Sequence, residues 1–558
     1  MSVGEILLEK GKISAEQLQA ALEARKGSGD RLERILVRMG FVDEREVLGV
    51  LSEQMSMPVV DLSEVEVDVD LLRKVQKLVH KRGLVPLKAN GDGMLPVATS
   101  DPYDVYGLDE LRMETGQAIK PVLASEADIQ QIIRTYLGVG GSTIREMIED
   151  EDGAVELLSD SVDADGDLME MAQEATVVKL VNDIVTEAIH DRASDIHIEP
   201  YENDLKVRYR IDGVLQATNV PSAIRRFQAA IISRIKIMSN LNIAEKRLPQ
   251  DGSFKARVQG REIDFRVSII PMAFGEGVVI RILDKQSVLH SLESLGMGAE
   301  VLKNFQHLIN LPHGIILVTG PTGSGKTTTL YGALNSIVSD EIKILTLEDP
   351  IEYMLRGVNQ VQISEKIGLS FARGLRAFLR HDPDVILVGE IRDKETAEVA
   401  INASLTGHLV FSTLHTNDAV TANTRLLDMG VEPFLVSSSL EGVLAQRLVR
   451  TICKHCKEEY EPDAATLPAD FDYQPGMPLW RGKGCRECRH SGYSGRLGIY
   501  ELLMVTPEVR ELVVNRASAT QLLDQARKQG LVLLREDGWQ KVKAGLTTPE
   551  EVLRVAKA

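Results

Sequence analysis

The chain has 558 residues, of which 44% are hydrophobic, 26% charged and only 4% aromatic, with a formal net charge of −18. That length is enough for several domains of ordinary size, and an acidic chain poor in aromatic rings argues against nucleic acid as its partner. No run approaches the ~18 consecutive apolar residues of a membrane helix, and no basic start leads into an apolar stretch, so a cytoplasmic protein without a signal peptide is expected.

The first 56 residues contain a repeat. Val3–Gly11 recurs as Leu32–Gly40 at an offset of 29, and each copy continues into a short helix, Ala15–Arg25 and Glu44–Gln54, with apolar residues such as Leu18, Ala21 and Leu22 at helical spacing. Residues 57–137 mix a strand-like run, Met94–Val97, with a helical one, Ala127–Leu137, and read as a small α/β lobe. Gly138, Gly140 and Gly141 open a linker over 138–174; within it, residues 146–174 hold twelve acids and no Lys or Arg, leaving −6 for the rest of the chain. A solvated tether is the plain reading of such a run.

An α+β domain is expected over 175–285. Val177, Val178, Leu180, Val181, Ile184, Val185, Ala188 and Ile189 form one apolar helical face, and Leu205, Val207, Tyr209 and Ile211 alternate with Lys206, Arg208 and Arg210 as in a half-buried strand. Over 286–450 short apolar strands (Ile315–Val318, Ile344–Leu347, Val385–Val388, Leu409–Ser412) alternate with helices, the pattern of a parallel sheet covered by helices. A cysteine-bearing segment, 451–497, and a helical C-terminal region, 498–558, complete the chain, so the fold class is multidomain α/β.

The segment Gly320-Pro321-Thr322-Gly323-Ser324-Gly325-Lys326-Thr327 matches G-x-x-x-x-G-K-[ST] between a strand and a helix beginning at Thr328. Its glycines let backbone N–H groups turn inward around phosphates, and the helix N-terminus adds its positive end. Lys326 is expected to reach the β- and γ-phosphates of ATP and the Thr327 hydroxyl to ligate Mg²⁺. Glu348 closes one strand and Glu390 follows another, and the carboxyl ends of parallel strands are where ligands sit. One acid is expected to hold the Mg²⁺ shell and another to orient or deprotonate the attacking water. Spacing leaves the assignment open, with Glu348 the candidate base and Glu390 the candidate for the shell. His408 and His415 flank the strand Leu409–Ser412, where a histidine either senses the γ-phosphate or is an ordinary satisfied polar group.

All four cysteines fall in two C-x-x-C pairs, Cys453/Cys456 and Cys485/Cys488, separated by 28 residues. Such knuckles suit tetrahedral Zn²⁺ held by four thiolates, which leaves no open position for catalysis and makes the site structural.

At this point the chain resembles the secretion ATPases that power type II secretion and type IV pilus assembly. Leu345-Thr346-Leu347-Glu348-Asp349-Pro350-Ile351-Glu352 is similar to that family's aspartate box, Asp384–Asp393 to its atypical Walker B, and Thr406-Gly407-His408 with Thr413–Asp418 to its histidine box. The resemblance implies a RecA-like core, a ring-shaped homohexamer and ATP bound between 175–285 and 286–450. Residues 175–285 resemble the family's second N-terminal domain through Ser194–Pro200, Arg210–Gly213 and Arg247–Gly252; Arg266 and Arg281 match arginines that reach the nucleotide, and Arg376 and Arg380 are weaker candidates.

The repeat resembles a module that in some members binds cyclic di-GMP, with Arg-Leu-Gly opening each copy and Gln closing each helix. Here copy one has Ser2-Val3-Gly4 and ends in Arg25, and copy two has Arg31-Leu32-Glu33 and ends in Gln54. The missing arginine and the Glu33 carboxylate count against the dinucleotide and favour docking to a membrane-anchored partner. Tyr493–Leu502 and the tail from Glu536 to Val555 look closer to the secretion branch. The expected function is thus a peripheral inner-membrane motor that drives pseudopilus assembly through an inner-membrane platform protein. Pilus extension is the alternative, and a nucleic-acid motor or a catalytically silent scaffold are more distant ones.

Overall fold

The computed structural model describes residues 3–28, 31–62, 65–88, 94–138, 175–258, 260–284, 291–474 and 476–556. The expected linker lies outside these residues except for Gly138, as does Ser2 of the repeat. The chain divides into two compact units, Met1–Leu283 and Asp284–Ala558.

The first unit opens with helices α1 (Val3–Glu9), α2 (Ala15–Ser28), α3 (Leu32–Arg38) and α4 (Glu44–Met55). The 29-residue offset is visible in the packing: Val3, Leu7, Ile13 and Ala21 are buried, and so are Leu32, Leu36, Val42 and Val50. A Cβ at Gly4 would stand 2.8 Å from side-chain atoms of both Leu18 and Leu32, so glycine there permits the close approach of α1. The following lobe has strands β1 (Val85–Pro86), β2 (Met94–Thr99) and β3 (Ala118–Leu123), with β1–β2 antiparallel and β2–β3 parallel. Helices α5 (Val69–Lys74), α6 (Gln76–Arg82), α7 (Val105–Thr115) and α8 (Glu126–Leu137) accompany them.

Beyond α9 (Ala175–His190) come β4 (Asp195–Pro200), β5 (Leu205–Ile211), β6 (Val214–Ala217), α10 (Gln228–Met238), β7 (Gln250–Val258), β8 (Arg261–Met272) and β9 (Gly275–Asp284). The sheet order is β6-β5-β4-β9-β8-β7. One face is apolar: Ile196, Ile198, Leu205, Val207, Tyr209, Ile263, Phe265 and Ile280 share a core with Val177, Leu180 and Ile184 of α9 and Ile231 and Ile235 of α10. Because strand side chains alternate, the other face carries His197, Arg208, Arg210, Arg266 and Arg281.

In the second unit α11 (Ala299–Ile309) leads into β10 (Gly314–Thr319), α12 (Lys326–Ile337), β11 (Ile344–Glu348), β12 (Asn359–Gln362), α13 (Phe371–Phe378), β13 (Val385–Val388), α14 (Lys394–Leu405), β14 (Leu409–Leu414), α15 (Thr421–Asp428), α16 (Pro433–Ser439) and β15 (Leu440–Ile452). The sheet order is β12-β11-β13-β14-β10-β15-β18, where β18 spans Tyr493–Met504. Six strands run parallel and β18 alone returns antiparallel along β15. All six residues of β10 are buried, as a central strand covered on both faces requires.

This corrects one expectation. Residues 498–504, allotted to the helical C-terminal region, are part of an edge strand of this seven-stranded sheet, with Ile499, Tyr500 and Leu503 buried. Gly495 and Gly498 disguise the strand; the Tyr500 ring lies over Gly498, where a Cβ would sit 2.2 Å from its hydroxyl oxygen.

Between β15 and β18 the chain makes an excursion that includes the hairpin β16 (Lys457–Tyr460) and β17 (Leu479–Gly482). It returns so that Tyr493 pairs with Ile452. Helices α17 (Pro507–Val514), α18 (Ala519–Lys528), α19 (Leu534–Lys543) and α20 (Pro549–Val555) then pack Val509, Leu522, Trp539, Val542 and Val552 into the same core as Val449 and Leu503. Glu551 of α20, 2% exposed at its side chain, holds the Arg450 guanidinium at 2.6 Å.

Candidate functional site

The segment 320–325 links β10 to α12, and its glycines adopt backbone angles closed to other residues: φ is +152° at Gly320, +79° at Gly323 and +89° at Gly325. A Cβ at Gly320 would also stand 2.5 Å from Ser324 Oγ and 2.7 Å from the Gln446 carbonyl oxygen. The loop therefore keeps its backbone open toward whatever it binds, at the N-terminus of the twelve-residue helix α12. Pro321, Thr322 and Gly323 are exposed, Ser324 is buried, and Lys326, Thr327 and Thr328 are half-buried at the helix start. Lys326 Nζ donates to the carbonyls of Gly320 at 2.8 Å and Pro321 at 3.2 Å. Burial lowers its pKa below the usual lysine range, Glu390 opposes that shift and Arg447 reinforces it. A helix N-terminus, inward-turning glycines and an ammonium in one loop fit the phosphates of a nucleotide.

Because β10, β11, β13 and β14 are parallel, Gly320, Glu348, Glu390 and His415 all lie at or just past strand ends on one edge of the sheet. Glu390, 14% exposed at its side chain, lies between Arg392 and His415. One oxygen pairs with the Arg392 guanidinium and the other is 3.3 Å from His415 Nε2. Glu348 differs. It is 4% exposed, its Oε2 accepts the Tyr331 hydroxyl, and its Oε1 accepts the Thr346 hydroxyl at 2.5 Å and the Gln360 amide at 3.1 Å. Burial and this carboxylate push the Tyr331 pKa far up.

His408 precedes β14 and so lies at the sheet edge opposite the phosphate loop. Its Nδ1 is 2.7 Å from the Ala403 carbonyl and 3.2 Å from Thr406 Oγ1. Of the two histidines flanking this strand, only His415 is on the nucleotide edge.

The four cysteine sulfurs lie within 4.8 Å of one another. The pairs Cys453/Cys485, Cys456/Cys488 and Cys485/Cys488 are 3.8, 3.7 and 3.7 Å apart. Thiolates at about 2.3 Å around tetrahedral zinc are about 3.8 Å apart, so these residues fit that ion. Backbone N–H groups of Gly484, Cys485 and Gly492 point at the sulfurs of Cys456, Cys488 and Cys488 at 3.2–3.3 Å, a donor shell suited to thiolate charge.

A family model described as type II/IV secretion system protein matches residues 170–554. The chain belongs to this family. The MshEN domain model matches residues 55–143. The type IV pilus assembly ATPase PilB of Myxococcus xanthus is 43% identical over 99% of this chain and 98% of its own. The type II secretion system protein E of Xanthomonas campestris is also 43% identical, again over 99% of this chain and 98% of its own. Among solved structures, the Legionella pneumophila ATPase DotB is similar in fold, with a TM-score of 0.51 at 22% identity, over 67% of this chain and 94% of its own.

In this secretion-family ATPase the structure adds residues that local motifs do not reveal. Gln446, 1% exposed, donates its amide to the Ser324 carbonyl at 2.7 Å. Arg447, 8% exposed, donates to the carbonyls of Gln446 and Asn417 at 2.9 and 2.8 Å. Thr319 and Thr416 clasp hydroxyl to hydroxyl at 2.7 Å. The available signal was the polar pair Gln446-Arg447 inside an otherwise apolar strand, since a buried polar residue is the informative exception in a core.

In the first unit Arg281 Nε binds Asp195 at 3.0 Å with its side chain 53% exposed, and Arg266 lies on the same open sheet face. In the second, Arg376 pairs with Glu395 at 2.8 Å, and Arg380 donates to the Arg376 carbonyl at 2.8 Å. In the N-terminal module Arg31 is held by Asp101 at 2.6 Å and stacks over Tyr103 at 4.7 Å. Both Arg31 and Asp101 line a cavity of about 450 Å³ that also receives Glu33, Glu44 and Glu126. No helix among the described residues is long and apolar enough to cross a membrane.

Proposed function

We propose that this ATPase hydrolyses ATP with Mg²⁺ as a ring-shaped homohexamer and uses the energy to assemble a pseudopilus for protein export in type II secretion, working peripherally at the inner membrane through a platform protein and a membrane-anchored docking protein. The observation that carries the reading is the convergence of Lys326, Glu390 and His415 on the phosphate loop at one edge of the parallel sheet. Lys326 and the 320–328 backbone hold the phosphates, and Thr327 supplies the hydroxyl for the metal ion. When bound, that ion neutralises developing phosphate charge. Glu390 orients the metal's water shell and keeps His415 beside it. Glu348 is the proposed base, its carboxylate aligned by Tyr331, Thr346 and Gln360. Arg266 and Arg281 are proposed to supply transition-state charge, on the resemblance of their positions. The four cysteines hold Zn²⁺ as a structural clamp.

The deciding experiment is ATP turnover with Mg²⁺ beside oligomer mass, for the wild type, Lys326→Ala and Glu390→Gln. Turnover that requires both residues and rises with hexamer formation supports the motor. A zinc-loaded hexamer that binds ATP but never turns it over, even with the platform protein's cytoplasmic domain added, refutes it.

Pilus extension is the second reading, since the full-length matches to a pilus assembly ATPase and to a type II secretion protein are equal in identity and coverage. The secretion reading rests on residues 493–502 and 536–555. Expression in strains deleted for one or the other ATPase separates them: restored protein export supports secretion, and restored surface fibres support pilus extension.

A further inference from the structure

The loop that follows β14 is pinned from several directions. Thr416 N–H donates to Thr319 Oγ1 at 2.9 Å, which ties the loop to the end of β10. Asn417 presents its carbonyl to Arg447 Nη2, and Ala419 N–H donates to Glu501 at 2.8 Å. His415, at the start of the same loop, contacts Glu390. Arg447 Nη1 sits 3.1 Å from where a Cβ on Gly320 would be, so the guanidinium packs against the phosphate loop while it hydrogen-bonds the His415 loop and the Gln446 carbonyl of its own strand.

Arg447 makes its hydrogen bonds to Gln446 and Asn417, and among the described residues no carboxylate forms an ion pair with it. Burial lowers its pKa, and Glu501 and Asp418 favour its charge from a distance. A buried, unpaired cation is costly. Two carbonyls could be bridged by a neutral amide. A guanidinium is rigid and planar, and its fork fixes both carbonyls at one spacing.

We infer that Arg447 is a positioning residue for ATP turnover. It locks residues 415–418 against the phosphate loop, so that His415 keeps its place on Glu390 as the reaction proceeds. The inference rests on the hydrolytic reading above. It adds a residue from β15, beyond the last strand that bears a nucleotide motif.

The test compares the wild type, Lys326→Ala, Arg447→Gln, Arg447→Lys, His415→Ala and the Arg447→Gln/His415→Ala double variant. Turnover is measured alongside binding of a fluorescent ATP analogue and thermal melting. Arg447→Gln is expected to keep analogue affinity within about threefold while lowering kcat roughly tenfold or more. Arg447→Lys should regain part of that loss, because an ammonium reaches one carbonyl. The double variant should be no slower than the slower single variant, since both act on one loop. An affinity loss with kcat preserved overturns the inference and makes Arg447 a phosphate ligand. Activity that falls only in step with melting, with no recovery in Arg447→Lys, overturns it in favour of a scaffold role. A wild type that stays silent even with the platform protein's cytoplasmic domain added overturns the hydrolytic reading as well, whereas an active wild type matched by Arg447→Gln overturns this inference alone.

Discussion

Glu501 on β18 accepts the backbone N–H of Ala419 at 2.8 Å through one carboxylate oxygen and that of Leu534 at 3.3 Å through the other. One buried side chain thus ties the loop behind His415 to the start of α19. Burial raises its pKa from about 4.5 to about 7; Asp418 adds to the rise, and the two N–H donors and Arg447 oppose it. Arg527 is a further charge within its field.

The folded protein therefore holds this proton more tightly than the unfolded chain. Stability from this group is complete below about pH 4.5 and is lost as pH rises toward 7, by an amount on the order of 3 kcal/mol. Glu501→Gln removes the titration. The difference in urea-unfolding free energy between the wild type and Glu501→Gln should shift against the wild type from pH 5 to pH 7.5. A difference that stays constant across that range would show that Glu501 keeps an ordinary pKa.

Lys326→Ala removes the ammonium from the phosphate loop. It should lower turnover by about a thousandfold or more and weaken nucleotide binding. Glu390→Gln keeps the shape and a hydrogen-bonding group beside His415, so binding should survive while turnover drops about a hundredfold. Equilibrium binding and single-turnover hydrolysis separate the two outcomes.

Glu348 receives three side-chain donors in a buried site. Tyr331→Phe strips one of them and should cost about 1–3 kcal/mol of stability. Glu348→Gln retains the volume. If Glu348 is the base, hydrolysis falls about a hundredfold or more in a protein that still binds ATP. Unchanged turnover in folded Glu348→Gln would leave the residue a purely structural acceptor. Chemical denaturation and turnover on the same samples give both answers.

Each cysteine supplies one corner of the sulfur cluster, so Cys456→Ser should reduce bound zinc from about one equivalent to well below one, read by elemental analysis. Chelator treatment of the wild type should expose the 453–492 segment to protease while the phosphate loop still binds nucleotide. Full zinc retention in Cys456→Ser would exclude the four-thiolate site.

The parts of this molecule visible in its sequence are those written locally. β10 is a short apolar run, the phosphate loop is eight consecutive residues, and the cysteines declare themselves by spacing. β18 hides because Arg496 and two glycines break its pattern, and only pairing with β15 makes it a strand. The surroundings of Glu348 depend on Tyr331 from α12 and Gln360 from β12, brought together by the sheet rather than by proximity in the chain. Arg447 meets Asn417 across 30 positions. His408 and His415 look equivalent as flanking residues, yet strand direction sends them to opposite edges.

The pairing of Ile452 with Tyr493 makes the intervening 40 residues a detour that departs from and rejoins the ladder at one point. Loop-closure entropy changes slowly with length, so the strands on either side register with each other however long the detour is. The detour is nevertheless seated: Phe471 and Leu479 enter the core beside Trp539, and Asp470 binds the Trp539 indole N–H at 2.9 Å and the Arg535 guanidinium at 2.6 Å, so the strands tolerate its length while α19 depends on its presence.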